Sequence, residues 1–285
     1  MSDLDSDSIF VAAPPPPAVS VECLAQRGKD LVRSVRAAPE ETAIAFTFNG
    51  ITHAVMMATP ADLDDFGVGF ALTEGLIEKP ADISSLEIIP TELGVEVRIW
   101  LPEDRGETYS ARRRSMAGPT GCGLCGIESL SEAMRFAPAV PSAGVFERGD
   151  IVKAMASIQA GQTLNAQTHA VHAAAFWTPA GGLIALREDV GRHNALDKLA
   201  GALCRVGVCA GGGLVLLTSR VSIELIQKAA RMGAPMIAAV SAPTAAAIRL
   251  AEDCGVTLIA VVRGADFEIF THPERIVDRV IANVA

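Results

Sequence analysis

The last third of the chain alternates between short apolar runs and amphipathic segments, and this alternation constrains the fold more than any other feature. The runs at 213–218, 235–241 and 256–262 carry no charge, and the segments at 221–232 and 243–253 between them predict helices. Continuously apolar strands joined by helices are typical of a parallel sheet that is covered on both faces. The sequence therefore predicts a βαβαβ unit within an α/β domain.

The first half of the chain has a different pattern, typical of a small α+β unit. Two apolar runs flank Asn49-Gly50, a pair that tolerates the positive φ angles of a tight hairpin turn. Thr59 is followed by a proline and three nearby aspartates, which predicts an N-cap and a helix start. The unit is predicted to comprise a hairpin at 42–58, a helix from Pro60 towards Ile77, and strands at 86–90 and 94–101.

The chain divides into three parts by composition. Residues 1–20, where serine alternates with aspartate before a run of prolines, are predicted to be a mobile tail. A small α+β domain is predicted at 21–120; it ends in a loop with three consecutive arginines, and a CxxC linker continues to residue 126. Residues 127–285 are predicted to form the α/β domain. Besides the βαβαβ unit, this domain is expected to contain helices from about 127 and at 150–160, and a hairpin of strands at 172–178 and 183–187.

Composition and charge exclude several classes of function. The chain has 285 residues, of which 33 are acidic and 24 basic, and its net charge of -9 repels nucleic acids and anionic membrane surfaces. Aspartates stand near the N-terminus where a secretion signal needs basic residues. The uncharged run at 232–248 is too short to cross a bilayer and is interrupted by prolines. We therefore expect a cytoplasmic protein that binds neither nucleic acid nor membrane.

The most informative short motif is GCGLCG, which holds Cys122 and Cys125 three residues apart. A close cysteine pair in a reducing compartment indicates metal binding, redox chemistry or catalysis rather than a structural disulfide. A helix is predicted to follow directly, and the arginine run lies nearby in sequence, so the thiolate form is favoured. This favours a sulfur nucleophile on an interdomain arm. Half of a structural zinc site, completed by His169 and His172, is the alternative.

Polar side chains follow two neighbouring strands of the predicted parallel sheet. Ser219 and Arg220 come directly after the first strand, and Ser241 follows the second. Ligands bind at the carboxyl ends of parallel strands, where hydroxyls, a guanidinium and helix N-termini can hold an anion. Arg192 and His193 lie in a further polar cluster, EDVGRHNALDK, which suits either a phosphate or purine ligand or a capped and salt-bridged helix start. The sequence therefore predicts a phosphorylated ligand at this edge.

Several long motifs occur together in a fixed order: GCGLCG, EDVGRHNALDK, TSRVSIELIQKAA, SAPT and FEIFTHPERI. In this combination the chain resembles the FdhD family, the formate dehydrogenase accessory sulfurtransferases, from about Glu40 to the C-terminus. The resemblance implies a sulfur carrier that accepts sulfur from a cysteine desulfurase. It further implies that the acceptor is the molybdenum cofactor, bis-molybdopterin guanine dinucleotide, before its insertion into formate dehydrogenase.

Position by position, the resemblance places a persulfide on Cys122 with Cys125 as its partner. It places cofactor contacts in the segment 267–272, in which Phe270 stands where an aromatic residue with a hydroxyl is expected. We add the strand-end residues predicted above, and we expect GDP to mimic the bound nucleotide. The expected cofactor-binding residues are Phe267, Glu268, Ile269, Phe270, Thr271, His272, Arg192, His193, Ser219, Arg220 and Ser241.

The resemblance also implies architecture and partners. It implies a cytidine deaminase-like three-layer C-terminal domain with a smaller N-terminal α+β domain, and a homodimer that works with a cysteine desulfurase and formate dehydrogenase. It does not imply a catalytic zinc, because Gly121 rather than proline precedes Cys122. Two other functions stay open: a structural-zinc protein that binds nucleotides, and a non-enzymatic molybdenum cofactor chaperone whose cysteines only grip the metal.

Overall fold

The computed structural model describes residues 13–102, 137–141 and 144–278, and in this part of the chain there are fourteen strands and six α-helices. The strands are β1 (Ala18–Arg27), β2 (Asp30–Pro39), β3 (Thr42–Phe48), β4 (Ile51–Ala58), β5 (Ser85–Thr91), β6 (Gly94–Trp100), β7 (Phe146–Glu147), β8 (His172–Thr178), β9 (Gly182–Asp189), β10 (Leu214–Leu217), β11 (Met236–Ala239), β12 (Thr257–Arg263), β13 (Asp266–Ile269) and β14 (Ile276–Val277). The helices are α1 (Leu63–Thr73), α2 (Arg148–Gly161), α3 (Thr163–Thr168), α4 (Arg192–Arg205), α5 (Ile223–Arg231) and α6 (Ala245–Cys254).

The six-stranded sheet, which we call the large sheet, has the strand order β13-β12-β11-β10-β8-β9. β10, β11 and β12 run parallel and are connected through α5 and α6, so the predicted βαβαβ unit is confirmed. β8 and β9 form the predicted hairpin, in which β8 pairs antiparallel with β10. The parallel strands are buried along most of their length, as expected when both faces are covered.

Alternate side chains of the large sheet point into two separate cores, because successive residues of a strand face opposite sides. Val215 and Ile237 lie in a core with side chains of α4, α5 and α6. Leu216 and Ala238 lie in a second core with side chains of α2, the helix predicted at 150–160. The large sheet is therefore the middle of three layers, and its mixed α/β architecture agrees with the predicted class.

The strand directions bring several chain segments to one edge of the large sheet. β10, β11 and β12 all end at this edge. β9 also ends there, at Asp189, and β8 begins there, because His172 and Asp189 pair across the hairpin. We call this the strand-end edge. α4, α5 and α6 each begin shortly after a strand that ends at it, so three helix N-termini lie along it.

The four-stranded sheet, which we call the small sheet, has the order β4-β3-β6-β5. β3 and β4 form the predicted hairpin, and the turn residues Asn49 and Gly50 have φ angles of 47° and 78°. β5 and β6 are the two predicted strands that complete it. α1 packs on one face, where the ring of Phe46 stacks on that of Phe70 with centroids 4.2 Å apart. The predicted small α+β unit is thus present.

The predicted helix start at Thr59 is wrong. α1 begins three residues after Pro60, and Asp62 stands before it with a left-handed backbone (φ 54°) and no capping hydrogen bond from its side chain. Thr59 is fully buried, and its hydroxyl accepts a hydrogen bond from the backbone N–H of Val190. Its own backbone N–H donates to the carboxylate of Asp189. Thr59 therefore forms hydrogen bonds to residues that are distant in sequence instead of capping α1.

α1 and α4 cross in close contact and join the small sheet to the large one. A Cβ atom on Gly69 would stand 1.7 Å from the backbone oxygen of Asp197. A Cβ atom on Gly201 would likewise stand 1.8 Å from the backbone oxygen of Asp65. Both positions require glycine, because only a residue without a Cβ lets the two backbones approach this closely.

Besides the short β7, α3 and β14, two elements have no counterpart in the sequence prediction. β1 and β2 form an antiparallel ribbon, whose first strand begins at Ala18, within the predicted tail. Leu24, Leu31 and Val35 on this ribbon stay largely exposed, so its apolar residues do not mark a buried face. β13 is the second element, and it pairs antiparallel with β12 at the margin of the large sheet. No helix in the described ranges is long and apolar enough to cross a membrane.

Candidate functional site

The strand-end edge brings together five of the residues predicted to bind a ligand. Ser219 and Arg220 follow β10, Ser241 follows β11, and Arg192 and His193 form the first turn of α4. Ser219 and His193 are buried, whereas Arg220 is exposed. Helix N-termini carry partial positive charge, and those of α4, α5 and α6 begin at this edge. This combination of hydroxyls, cations and helix N-termini suits an anionic group.

Most of the EDVGRHNALDK cluster is structural, which is the second of the two interpretations above. Asp189 is fully buried, and its carboxylate accepts hydrogen bonds from the backbone N–H groups of Thr59 and Gly191. It also accepts from the side-chain amide of Asn194 and, at 2.6 Å, from the ammonium of Lys198. Lys198 donates in addition to the backbone carbonyl of Thr59. We call Thr59, Asp189, Asn194 and Lys198 the latch, because they fasten the small sheet to the start of α4.

A second buried ion pair lies further along α4. Asp197 accepts hydrogen bonds from the ammonium of Lys228 at 2.8 Å and from the hydroxyl of Thr73 at 2.6 Å. Burial alone would lower the pKa of Lys228, but attraction to the carboxylates of Asp197 and Glu74 raises it on balance. The ammonium therefore stays charged, and the pair ties α1, α4 and α5 together.

Arg192 and His193 differ from the rest of the cluster, because they occupy the first turn of α4 at the strand-end edge. The Nε of Arg192 is buried and has no hydrogen-bond partner among the described residues. A buried N–H without an acceptor costs about 1–3 kcal/mol, so this atom marks a position where an acceptor of a ligand would fit. The Nε2 of His193 lies 2.7 Å from the carboxylate of Glu224 and 3.3 Å from the hydroxyl of Ser222.

His172 also lies at this edge, although the sequence predicted it either as a zinc ligand or as a polar residue at the start of a strand. It is the first residue of β8, and its imidazole lies close enough to Arg192, Asp189 and His193 to feel their charges. Burial lowers the pKa of His172, and the positive charge of Arg192 lowers it further. The ring is therefore neutral at neutral pH. Its position at the start of an apolar strand was the signal in the sequence that could have placed it here.

The alternative zinc site gains no support from the described residues. His169 follows α3 with a left-handed backbone (φ 53°), whereas His172 begins β8. Within the described ranges, no group of three or more His, Cys, Asp or Glu side chains could hold a metal ion. Cys122 and Cys125, the other two ligands of that alternative, lie outside the described residues, as do the arginine run and the helix expected from about 127.

The strand-end edge contains one strained backbone position. Val261 in β12 has a φ of 56°, a left-handed conformation that is rare for a β-branched residue. It lies at the register shift between β12 and β13, and its backbone N–H faces the backbone oxygen of Ser241. The guanidinium of Arg263 donates to the backbone carbonyls of Val240 and Val262 next to it. Strain of this kind costs on the order of 1–3 kcal/mol and clusters at binding sites, which supports a functional role for this edge.

The segment 267–272 starts near the strand-end edge and leaves it along β13. Phe267 and Glu268 stand early in β13, close to the hairpin that joins it to β12. Ile269 pairs with Ile259, near the middle of β12. The first part of the segment is therefore the part within reach of a ligand at this edge.

The second part of that segment lies towards the opposite edge of the large sheet. Phe270 packs against the core that holds α4, α5 and α6. The hydroxyl of Thr271 is buried and donates to the backbone oxygen of Val256. His272 has a left-handed backbone (φ 50°), and its ring lies 3.3 Å from the backbone oxygen of Glu252 on α6. The six residues of this segment thus do not gather at one point of the fold.

Comparison with known proteins decides the family. The model of the FdhD/NarQ family matches residues 39–277. The chain belongs to the FdhD/NarQ family. The protein named sulfur carrier protein FdhD from Agrobacterium fabrum is 53% identical over 243 residues, covering 85% of this chain and 90% of that protein. The protein of the same name from Brucella abortus is 50% identical over 259 residues, covering 90% of this chain and 96% of that protein.

A solved structure shares the fold of this FdhD/NarQ protein. The crystal structure of a formate dehydrogenase accessory protein from Desulfotalea psychrophila superposes with a TM-score of 0.72 at 26% sequence identity. The match covers 92% of this chain and 100% of that one. The resemblance inferred from the five motifs is therefore confirmed.

The described residues on either side of positions 103–136, which include both cysteines of the motif, are hydrogen-bonded to different parts of the fold. Before these positions, the backbone N–H of Leu101 donates to the side chain of Asn49 in the turn between β3 and β4. After them, the backbone N–H of Val140 donates to the backbone oxygen of Cys254 at the end of α6.

Proposed function

We propose that this chain is a sulfur carrier that serves formate dehydrogenase. Cys122, with Cys125 as its partner, accepts sulfur as a persulfide from a cysteine desulfurase and passes it to the molybdenum cofactor, bis-molybdopterin guanine dinucleotide. Membership of the FdhD/NarQ family supports this, as do the names of relatives that are about half identical to it. The GCGLCG motif supplies the thiols.

The first step moves one sulfur atom between two cysteines. The carrier thiolate attacks the outer sulfur of the desulfurase persulfide, a new S–S bond forms as the old one breaks, and the desulfurase cysteine leaves as a thiolate. The exchange consumes no oxidant, because the transferred sulfur keeps its oxidation state. The carrier then holds its outer sulfur as a persulfide for delivery to the cofactor.

The strand-end edge is proposed to bind the phosphates at the guanine nucleotide end of this substrate. The observation that carries this proposal is the buried Nε of Arg192, which has no partner in the described part of the chain and lies at the edge where three helices begin. A diphosphate offers the acceptors that a guanidinium binds with two hydrogen bonds. Ser219, Arg220 and Ser241 contribute hydroxyls and a further cation, and the start of β13 contributes from the neighbouring strand. GDP is the matching test ligand.

We also propose the domain architecture of the chain. A hairpin followed by three parallel strands supports the cytidine deaminase-like arrangement for the large sheet. We assign that domain to 127–285 and the smaller domain to 21–120. We further propose that the protein functions as a homodimer in the cytoplasm.

Mass spectrometry after incubation with a cysteine desulfurase and cysteine tests the carrier role. We expect an addition of about 32 Da, one sulfur atom, on wild type and its loss in Cys122→Ser. Cys209→Ser is the matched control, because Cys209 is an exposed cysteine away from the motif, and this variant should gain sulfur like wild type. Sulfur retained in a Cys122→Ser, Cys125→Ser double variant would overturn the assignment, as would one zinc ion per chain held by these thiols.

Titration calorimetry with GDP tests the ligand. We expect saturable binding of GDP, weaker binding of ADP, and a diphosphate at Arg192 in crystals soaked with GDP. If the protein does not bind GDP, the proposed nucleotide site is wrong. The proposed persulfide chemistry is tested separately, by mass spectrometry.

A further inference from the structure

The β1–β2 ribbon presents its largest apolar side chains on one face. Residues that pair directly across two strands share a face, and every second residue of each strand returns to it. One face, which we call the outer face, therefore carries the pairs Glu22 with Val35, Leu24 with Arg33, and Gln26 with Leu31. Leu24, Leu31 and Val35 are 68%, 68% and 65% exposed. The most exposed apolar side chains of the ribbon thus lie together on its outer face.

The opposite face of the ribbon is more covered and is joined to the rest of the fold. It carries Arg36, whose guanidinium donates to the backbone oxygen of Thr168 in α3 at 3.1 Å. Cys23, Ala25 and Ser34 on this face are half-buried. Among the described residues, no hydrogen bond or ion pair joins a side chain of the outer face to another element. The outer face is therefore the side of the ribbon that is left without cover.

An uncovered apolar face of this kind is typical of a docking surface. A two-stranded ribbon is only marginally stable by itself and gains stability when an apolar face is packed against a partner. Contiguous exposed apolar side chains mark sites of protein association. In the described part of the chain, residues 22–24 and 33–35 line a shallow groove of about 530 Å³ on the ribbon. The ribbon thus offers both apolar side chains and a depression that can receive them.

The charges of the outer face indicate which partner fits it. The face carries one acidic residue, Glu22, and one basic residue, Arg33, and both are exposed. Neither forms an ion pair with another described residue. A surface that meets its own copy across a twofold axis must be complementary to itself, and one charge of each sign meets this condition. The remaining charged residues of the ribbon lie on the opposite face or in its turn: Arg27, Lys29, Asp30 and Arg36.

We propose that the outer face of the β1–β2 ribbon is a contact surface between two copies of this chain. Leu24, Leu31 and Val35 of each copy pack against the outer face of the other. Glu22 of one copy lies beside Arg33 of its partner, so that both charges are paired across the twofold axis. The inference names the contact surface of the homodimer proposed above and rests on that part of the proposed function.

Charge reversal on the outer face tests this arrangement in the full chain. Glu22→Arg leaves two basic residues on the face, and Arg33→Glu leaves two acidic ones. We expect each variant alone to raise the Kd of the dimer at least about tenfold, because like charges then meet across the twofold axis. When the two variants are mixed in equal amounts, opposite charges meet, and a mixed dimer should form with a Kd near that of wild type. Sedimentation equilibrium measures the Kd, and native mass spectrometry identifies the mixed dimer.

Matched controls make the same changes away from the outer face. Asp30→Arg and Arg27→Glu reverse the same charges on the opposite face, and both should dimerise like wild type.

Leu24→Ser tests the apolar part of the contact. It should raise the Kd of the dimer roughly 10-fold or more, because the burial of a leucine side chain is lost. Leu93→Ser is its control, since Leu93 is 93% exposed in the turn between β5 and β6, and it should leave the Kd unchanged.

The outcomes separate this inference from the proposed function. If wild type is dimeric and the reversed charges leave its Kd unchanged, the inference is overturned and the homodimer stands. It is also overturned if each reversal weakens the dimer but mixing the two does not restore it, because the ribbon then contacts something other than the ribbon of a second copy. If wild type is a monomer at every concentration measured, the inference and the homodimer are both wrong, while sulfur loading and GDP binding are judged by their own experiments.

Circular dichroism checks that the variants are folded. Should either reversal variant be unfolded, Leu24→Ser decides, and an unchanged Kd in that variant overturns the inference.

Discussion

Two groups of polar residues in the EDVGRHNALDK cluster are interleaved in sequence and differ in how they are paired. The latch residues Asp189, Asn194 and Lys198 are buried, and the carboxylate of Asp189 finds its partners inside the chain. Arg192 and His193 stand between them, yet the buried Nε of Arg192 has no partner among the described residues. A dense polar motif thus holds residues that are fully paired within the fold beside residues that we propose to bind a ligand.

Because of this difference, we expect substitutions in the two groups to impair different properties of the protein. Substitutions in the latch should reduce the free energy of unfolding, because they leave buried charges unpaired. Substitution of Arg192 at the strand-end edge should reduce ligand affinity while stability is retained, because its buried Nε has no partner among the described residues.

Lys198→Met should have the largest effect. It leaves the fully buried carboxylate of Asp189 without its counter-ion, and breaking a buried pair in this way costs about 3–5 kcal/mol. Unfolding in denaturant, followed by circular dichroism, measures the loss. The double variant Asp189→Asn, Lys198→Met removes both charges and should recover part of it. A loss as small as that of a surface substitution, about 0.5 kcal/mol, would contradict the structural role of the latch.

Arg192→Gln should have the next largest effect, and on binding rather than on folding. Loss of charge-assisted hydrogen bonds to a phosphate is worth about 1.5–3 kcal/mol, so the Kd for GDP should rise roughly 10- to 100-fold. The free energy of unfolding should stay equal or increase, because the substitution removes a buried Nε that has no acceptor among residues 13–102, 137–141 and 144–278. Arg27→Gln, at the exposed end of β1, controls for the change in net charge. A destabilised Arg192→Gln with normal GDP affinity would place Arg192 with the latch.

His172→Asn should have the smallest effect, visible in the pH dependence of stability. Burial lowers the pKa of His172 in the folded chain below its ordinary value of 6.5, so the unfolded chain binds the proton first as the pH falls. This stability is present above pH 6.5 and is lost as the pH falls through the lower pKa of the folded state. The variant should therefore lose less stability than wild type between about pH 7 and about pH 5. If the free energy of unfolding depends on pH in the same way for the variant and for wild type, this prediction is wrong.

Elements with local causes could be predicted from the sequence. The hairpin at Asn49-Gly50 follows from the turn preference of that pair, and the βαβαβ unit follows from uncharged runs joined by amphipathic segments. The position of Ser219 and Ser241 at one edge follows as well, because parallel strands end on the same side. These parts depend on neighbours in sequence or on the topology that those neighbours impose.

Elements with distant causes could not be predicted. Thr59 has the chemistry of an N-cap, but its hydroxyl and backbone bind Val190 and Asp189 more than a hundred residues away. The β1–β2 ribbon keeps apolar residues exposed, so its pattern carried no information on burial. Glu224 lies in the first turn of α5, and only the packing of α5 against α4 brings it to His193.

The sequence by itself determined the family, the parallel strands and the residue types gathered at their ends, because motif order and hydrophobic periodicity are properties of the chain. The tertiary structure alone decided which polar groups are paired within the fold and which have no partner among the described residues. It also separated the residues of the segment 267–272 along β13. The physical reason is that hydrogen-bond satisfaction depends on atoms brought together from distant parts of the chain, and a linear pattern does not record which atoms meet.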